Sequence, residues 1–270
     1  MKPFFSIITV TKNTEKKINL TVASVLSQSF KNFEYIIVDG YSSDSTFVKI
    51  NRYSKNKKIK IYRRRDKNFY DGLNFAISKA KGNYISILNS GDIYFSKSIL
   101  KNIYKNILAN KNFQFYFSNL IYFNKKTQVK RIWDNVMLSY SLLDAFKIPH
   151  PTIFLRREIA RKYKYNDNFK ISADLDFIFR LIKNNINYKY LNFFTVAMET
   201  GGMSTGYDNI FIKLKEDLKI LKKYFRNYIP VFLIQKLNKI KSLKITQDLV
   251  YSKYVKKYVN YLILSNKKIL

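Results

Sequence analysis

Glu34-Tyr-Ile-Ile-Val-Asp-Gly-Tyr-Ser-Ser-Asp-Ser-Thr46 joins the two patterns that together set the fold. Tyr35 to Val38 is an unbroken apolar run, the pattern of a strand buried on both faces. It ends in Asp39-Gly40, and Ser42-Ser43-Asp44 then opens a helix expected to run through Tyr53. Ser and Asp side chains accept hydrogen bonds from the free N–H groups of a first helical turn. The same alternation lies on both sides. Upstream, Phe4 to Val10 reads as a buried strand. Lys16 to Gln28 reads as a helix with Ile18, Val22, Val25 and Leu26 at helical spacing, after a cap at Asn13-Thr14. Downstream, Ile59 to Tyr62 and Tyr84 to Leu88 are strands around a helix from Asp71 to Ala80, with Gly82 expected as a left-handed cap. Strands and helices alternating at this spacing predict βαβ units and a mostly parallel, Rossmann-like sheet flanked by helices. Right-handed crossovers then leave every strand's C-terminal end on one edge, where open α/β sheets bind ligands.

Beyond residue 95 the pattern is less regular. Gln114 to Phe117, Thr152 to Leu155 and Tyr188 to Met198 read as strands, and Asp174 to Lys183 as a helix. A turn follows at Gly201-Gly202-Met203-Ser204. From Ile210 come three basic, aromatic, helical stretches, broken at Pro230 and near Thr246. The expected organisation is a catalytic domain over 1–207, with halves of about 1–95 and 96–207, and a basic amphipathic helical tail over 208–270. In that tail Phe211, Leu214, Leu218, Leu221 and Phe225 form one apolar stripe, with Lys213, Lys215, Lys219, Lys222 and Lys223 elsewhere. A helix lying on anionic lipid has this pattern. So does a helix packed on its own domain.

The 270 residues carry 50 Lys+Arg against 18 Asp+Glu, a net charge of +32. That balance suits phosphate-rich partners: nucleic acid, an anionic membrane surface or a nucleotide. Scarce Gly (7) and Pro (4) beside abundant Lys, Asn, Ile, Phe and Tyr indicate a second source, A/T-rich codon usage. Cysteine is absent, which excludes disulfides, thiolate metal sites and cysteine nucleophiles. The single histidine, His150, excludes a multi-histidine metal site within one chain. The N-terminus lacks a signal-peptide pattern, and no apolar run reaches the ~20 residues of a membrane span. The expectation is a cytoplasmic protein, soluble or peripheral on the inner face of the membrane.

The few acidic residues are more informative than the many basic ones. Thr11 and Asn13 follow the first strand and Asp39 and Asp44 the second. Asp66, Asp71 and Asn74 follow the third, and Asn89 and Asp92 the fourth. Helix capping accounts for some of them, but their gathering on one edge points to a ligand site. No Gly-x-Gly-x-x-Gly follows the first strand and no Gly-Lys-Ser/Thr occurs, so dinucleotide and P-loop sites are excluded. Carboxylates at a sheet edge suit Mg²⁺ bridging phosphates.

These residues carry a resemblance. Phe5-Ser-Ile-Ile-Thr-Val-Thr-Lys-Asn13 and the Glu34–Thr46 stretch resemble the inverting family-two glycosyltransferases of GT-A fold. So do Asp66, Tyr70-Asp-Gly-Leu-Asn74, Lys81-Gly-Asn-Tyr-Ile-Ser-Ile-Leu-Asn-Ser-Gly-Asp92, His150-Pro-Thr-Ile-Phe-Leu-Arg-Arg157 and Ser172-Ala-Asp-Leu-Asp-Phe-Ile-Phe-Arg-Leu181. The blocks span roughly residues 4 to 205, and the branch resembled builds bacterial surface polysaccharides and lipooligosaccharides. The resemblance implies transfer of a sugar from a UDP- or GDP-sugar to a saccharide or lipid-linked acceptor. Thr11, Asn13, Asp39, Asp71 and Asn74 would bind the donor, Asp92 would hold Mg²⁺ or Mn²⁺, with Asn89 and His150 as further candidates, and Asp174 would be the base. Asn89-Ser90-Gly91-Asp92 departs from the family's Asp-x-Asp-Asp by keeping one carboxylate. Asn68 stands where relatives have glycine, a turn that Asn tolerates. Asp176, on another face of the same helix, reads as structural. Arg63-Arg64-Arg65 reads as a solvated edge. The alternatives are a nucleotidyltransferase, which would want a glycine-rich loop after the first strand, and a nucleic-acid-binding protein, for which no module signature is present. A homodimer is compatible with the sequence.

Overall fold

The computed structural model describes residues 2–124, 126–134, 136–201, 207–241 and 249–269. Its N-terminal half is the parallel sheet read from the sequence: β1 (Phe5–Thr11), β2 (Phe33–Asp39), β3 (Ile59–Arg63) and β4 (Tyr84–Ile87). Every residue of β1 and β2 is buried, which explains their unbroken apolar runs. The three polar positions of β1 are satisfied internally, Ser6 donating to Glu34, Thr9 to the Leu88 carbonyl and Thr11 sharing a hydrogen bond with Thr14. Alternation sorts the rest between two layers. Ile8 and Val10 join Leu73, Ala76 and Ile77 of α3 (Phe69–Lys79), while Phe5 and Ile7 join Ile18, Val22 and Val25 of α1 (Ile18–Leu26).

The sheet order is β3-β2-β1-β4-β8-β6-β9-β5, with β8 at Phe154–Arg156, β6 at Phe115–Phe123, β9 at Tyr188–Glu199 and β5 at Ile93–Tyr94. Beyond β4 the sheet is mixed. β8 runs antiparallel to both β4 and β6, β6 and β9 are parallel, and β5 and β7 (Val129–Trp133) are antiparallel to β9 and β6. The remaining helices are α2 (Thr46–Asn51), α4 (Ile99–Ala109), α5 (Arg157–Tyr163) and α6 (Ala173–Lys183), with α7 (Tyr207–Tyr224), α8 (Tyr228–Lys241) and α9 (Leu249–Ile269) in the C-terminal region.

Several local expectations change. The helix expected from Ser42 starts at Thr46, because Asp44 accepts the Thr46 N–H. Gly82 is not a left-handed cap. A Cβ there would lie 2.5 Å from the Phe5 and Ser6 backbone, so glycine permits close approach of two chain segments. Asn68 is extended and caps α3, its side chain accepting from Tyr70 and Asp71 N–H. The break in the C-terminal helices falls at residues 225–227, and Pro230 is the third residue of α8, where its missing N–H costs no helical hydrogen bond.

The C-terminal helices pack on the sheet domain. Ile220 and Leu221 of α7 enter the main core. Val255, Tyr258, Val259 and Leu262 of α9 bury against Ala23, Ile93, Ile121 and Phe123. The apolar stripe of α7 is therefore split, with Leu221 inside and Phe211 73% exposed. The exposed apolar face belongs to α8, through Ile229, Leu233, Ile234 and Leu237. Among the described residues no helix is long and apolar enough to cross a membrane. Gly202, Met203 and Ser204 of the expected glycine turn, and Thr246, lie outside the described residues.

Candidate active site

The parallel register sets Thr11 beside Asp39 and Asp39 beside Arg63, so the ends of β1, β2 and β3 form one edge. Asn13, at φ +53°, turns the chain after β1. Its N–H donates to Ser42, and its side-chain carbonyl accepts the Ser43 N–H at 2.9 Å. Thr14 and Glu15 N–H groups donate to Thr46 and Asp44. The two loops are thus laced into one rim. Thr11 is buried and shares a 2.5 Å hydrogen bond with Thr14, which also accepts from Ser90 of the fourth strand's loop. Asp39 is fully buried and accepts from the Ser42 N–H and hydroxyl, with Arg63 3.4 Å away.

Asp66 and Asp71 face each other across Arg64, which sits 2.9 Å from Asp66 and 3.1 Å from Asp71. Burial raises the Asp66 carboxyl above its usual range; Arg64 opposes this, and the charges of Asp71 and Asp39 add to it. The three aspartates are therefore one electrostatic unit on one edge. Arg63 and Arg65 are exposed, as expected of a solvated edge, and Arg64 is half-buried; all three also pack on rings. Arg63 stacks on Tyr41 and Phe47, Arg64 on Phe75 and Arg65 on Tyr41. Asn74 lies elsewhere. Its amide donates to the Tyr165 carbonyl and accepts the Tyr165 N–H, both at 2.8 Å, tying α3 to the segment between α5 and α6.

After β4 the chain turns at Gly91, whose φ of +102° requires glycine. Thr21 holds this turn, accepting from the Gly91 N–H and donating to the Asp92 carbonyl at 2.9 Å each. The Asp92 side chain is buried, with Oδ1 accepting the Glu199 N–H at 3.3 Å. Its Oδ2, and Oδ1 of Asn89, are buried and accept no hydrogen bond among the described residues. Burial pushes the Asp92 carboxyl up to about 8 and the Glu199 charge adds to this, while the Glu199 N–H, the Asn89 side chain and the Lys17 charge oppose it. Unpaired buried oxygens of this kind are costly, and both are hard donors of the type Mg²⁺ and Mn²⁺ take. The residues present fit such a cation. Among the described residues no group of three or more His, Cys, Asp or Glu side chains could hold a metal ion.

Asp174 stands in the first turn of α6, partly exposed, its Oδ1 accepting the Leu175 N–H at 2.9 Å. Around it are three rings. The Tyr70 hydroxyl donates to the Ile171 carbonyl and lies 3.5 Å from Asp174 Oδ1. Tyr70 stacks on Tyr165, and Tyr165 shares a 2.7 Å hydrogen bond with His150 Nε2. Burial, reinforced by the Asp174 charge, holds the Tyr70 and Tyr165 phenols protonated. Burial also lowers His150, with Asp174 opposing. His150 is thus held in the Asp174 cluster through Tyr165. Asp176, by contrast, is buried against Arg180 and Lys223, a structural ion cluster.

Two contributors carry no motif. Tyr122 of β6 senses both Asp92 and Asp174: burial pushes its phenol up to about 12, and both carboxylates add to the shift while Arg131 opposes. One tyrosine thus lies within electrostatic reach of the metal candidate and the base candidate. Glu216 of α7 accepts the N–H groups of Lys170, Ile171 and Ser172, the residues leading into α6. Its neighbour Asp217 accepts from Ser172 Oγ at 2.7 Å. An acidic pair within a lysine-rich helix was the one available signal.

Comparison with known proteins places this geometry in context. Residues 6–191 match the model of glycosyl transferase family 2. A PGL/p-HBAD biosynthesis glycosyltransferase of Mycobacterium bovis is 27% identical over 217 residues, 78% of this chain and 83% of that protein. The UDP-Glc:alpha-D-GlcNAc-diphosphoundecaprenol beta-1,3-glucosyltransferase WfgD of Escherichia coli is 25% identical over 224 residues, 82% of this chain and 87% of its own. In fold, S. aureus TarS 1-349 in complex with UDP-GlcNAc aligns with a TM-score of 0.67 at 20% identity, covering 97% of this chain and 84% of that one. The mannosyltransferase PcManGT from Pyrobaculum calidifontis, in complex with GDP-Man and Mn²⁺, aligns at 0.59 and 12% identity over 100% of this chain and 74% of its own.

Proposed function

Because the chain belongs to glycosyl transferase family 2 and has its GT-A fold, we propose that it moves a sugar, with inversion, from a UDP- or GDP-sugar to a hydroxyl of a saccharide or lipid-linked acceptor. Donors of these two nucleotide classes are bound by the structural neighbours, and WfgD's name describes a diphosphoundecaprenol-linked acceptor. The observation that supports the reading is the turn after β4, where buried Asp92 leaves Oδ2, beside Asn89 Oδ1, without a hydrogen bond among the described residues.

In this reading Thr11, Asn13, Asp39 and Asp71 form the edge that receives the nucleotide. Asn74 acts indirectly, by fixing the Tyr165 backbone. Asp92, with Asn89 beside it, would hold Mg²⁺ or Mn²⁺, which supplies neutralising charge to the departing diphosphate. The acceptor oxygen attacks the anomeric carbon as the bond from that carbon to the diphosphate oxygen breaks. Asp174 takes the acceptor's proton, and the nucleoside diphosphate leaves from the opposite face. Tyr70 and Tyr165 remain protonated beside it and leave the base role to Asp174. A single carboxylate suffices because the nucleotide is already a good leaving group. The exposed apolar face of α8 and the surrounding lysines suit an anionic membrane surface, where a lipid-linked acceptor would be presented.

The test is a panel of UDP- and GDP-sugars with Mg²⁺ or Mn²⁺ and saccharide acceptors, with the product's anomeric configuration read by NMR. One donor class giving product of opposite anomeric configuration is expected. Product with retained configuration, or no turnover with any donor, would overturn the reading.

A further inference from the structure

The turn that bears Asp92 has a second carboxylate beside it, supplied from the far end of the sheet. Glu199 is the last residue of β9, and its N–H is the donor to Asp92 Oδ1, so the Asp92 carboxylate is turned towards the Glu199 backbone. Its own carboxylate lies over the same turn: a Cβ added at Gly91 would come within 3.0 Å of Glu199 Oε2 and 3.1 Å of the Lys17 side chain. Lys17 Nζ meets Glu199 Oε2 at 2.7 Å, and both side chains are mostly buried. On the same turn, Asp92 Oδ2 and Asn89 Oδ1 are buried and have no hydrogen bond among the described residues. The Glu199 carboxylate thus lies over the turn that carries Asn89 and Asp92, and the cation already paired with it is the Lys17 ammonium at the start of α1.

We propose that Glu199 supplies the second carboxylate of the divalent-cation centre at Asp92, and that Lys17 is the counter-ion displaced when the cation enters. The proposal rests on the reading of Asp92 as a metal residue and extends it to two side chains that no motif marks. It accounts for the shortened Asn89-Ser90-Gly91-Asp92 motif, since the acidic ligand lost there returns from residue 199. One or two carboxylates completed by diphosphate oxygens is the usual way proteins hold Mg²⁺. The ammonium compensates the Glu199 carboxylate while no cation is bound, which lessens its repulsion with Asp92.

The experiment is Mn²⁺ titration of the full chain followed by the free-Mn²⁺ EPR signal, alone and with UDP or GDP, alongside nucleotide binding measured in EDTA. Glu199→Gln is expected to weaken Mn²⁺ binding by about tenfold or more, in the range that lost metal-site groups give. Nucleotide binding in EDTA and the melting temperature should stay near wild type. Lys17→Met is expected to tighten Mn²⁺ several-fold, because the competing ammonium is gone. Wild-type Mn²⁺ affinity in Glu199→Gln, or a weakened site in Lys17→Met, would overturn the proposal. If the same variants behave this way while Asp92→Asn still binds Mn²⁺ like wild type, the reading of Asp92 itself falls and the proposal with it. Absence of Mn²⁺ binding to the wild type overturns the proposal but leaves sugar transfer to be judged by the donor panel in EDTA.

Discussion

Asp144 shows how much one buried carboxylate can carry in a chain with so few. It is fully buried. Burial alone would raise its carboxyl, but Lys147, the Ser139 and Tyr140 N–H groups and the Tyr188 hydroxyl hold it down at about 2. A group depressed in the folded state stabilises it fully above the unfolded value, and that contribution is lost as pH falls through the folded value. Asp144→Asn should therefore cost about 2 kcal/mol at pH 7, read from urea midpoints, and the gap to wild type should close between about pH 4 and pH 2. A gap independent of pH would mean the residue acts through shape alone. At this scale the sequence was legible where chemistry is local. Thr11, Asn13 and Asp39 sit on one rim because they follow consecutive parallel strands. Glu199 was not legible, because it reaches the Asp92 turn from the end of β9, a distant part of the chain.

Among the elements, α6 is positioned by a helix that composition assigns to a tail. Glu216 takes three N–H groups of the segment entering α6, a task a cap usually performs from within the helix itself. Hydrogen bonds to a charged acceptor are stronger than neutral ones. Glu216→Ala should lower stability by about 2–3 kcal/mol and raise amide exchange selectively at residues 170–172. Uniform exchange across the chain would show instead that α7 only adds burial. Truncation after residue 207 should expose Ala23, Ile93, Ile121 and Phe123, which α9 covers, and the shortened chain should aggregate. The strands of the first half were readable because burial on both faces writes a continuous apolar run. β5 and β7 were missed, being short and set by partners rather than by pattern. α4 was missed although Ile99, Leu100, Ile103 and Ile107 do carry helical spacing, since lysines and asparagines dilute it. Gly82 and Asn68 were assigned the wrong backbone role because residue type alone does not separate a tight contact or a cap from a left-handed turn.

For the whole molecule, the +32 charge and the apolar face of α8 belong to one question, where the enzyme works. Leu233→Ser with Ile234→Ser should abolish flotation with phosphatidylglycerol vesicles while leaving transfer to a soluble acceptor unchanged, because neither side chain faces the site. Flotation equal to wild type would make that face an interface with something other than lipid. In the proposed reaction a donor side around Asp92 and an acceptor side around Asp174 operate as one cleft, with Asp174 removing the acceptor's proton. Its most direct test is Asp174→Asn, measured for both nucleotide-sugar binding and transfer. The account predicts donor affinity within about twofold of wild type and a transfer rate lower by about 10²–10⁴-fold. Transfer at the wild-type rate, or loss of donor binding in step with activity, would contradict it.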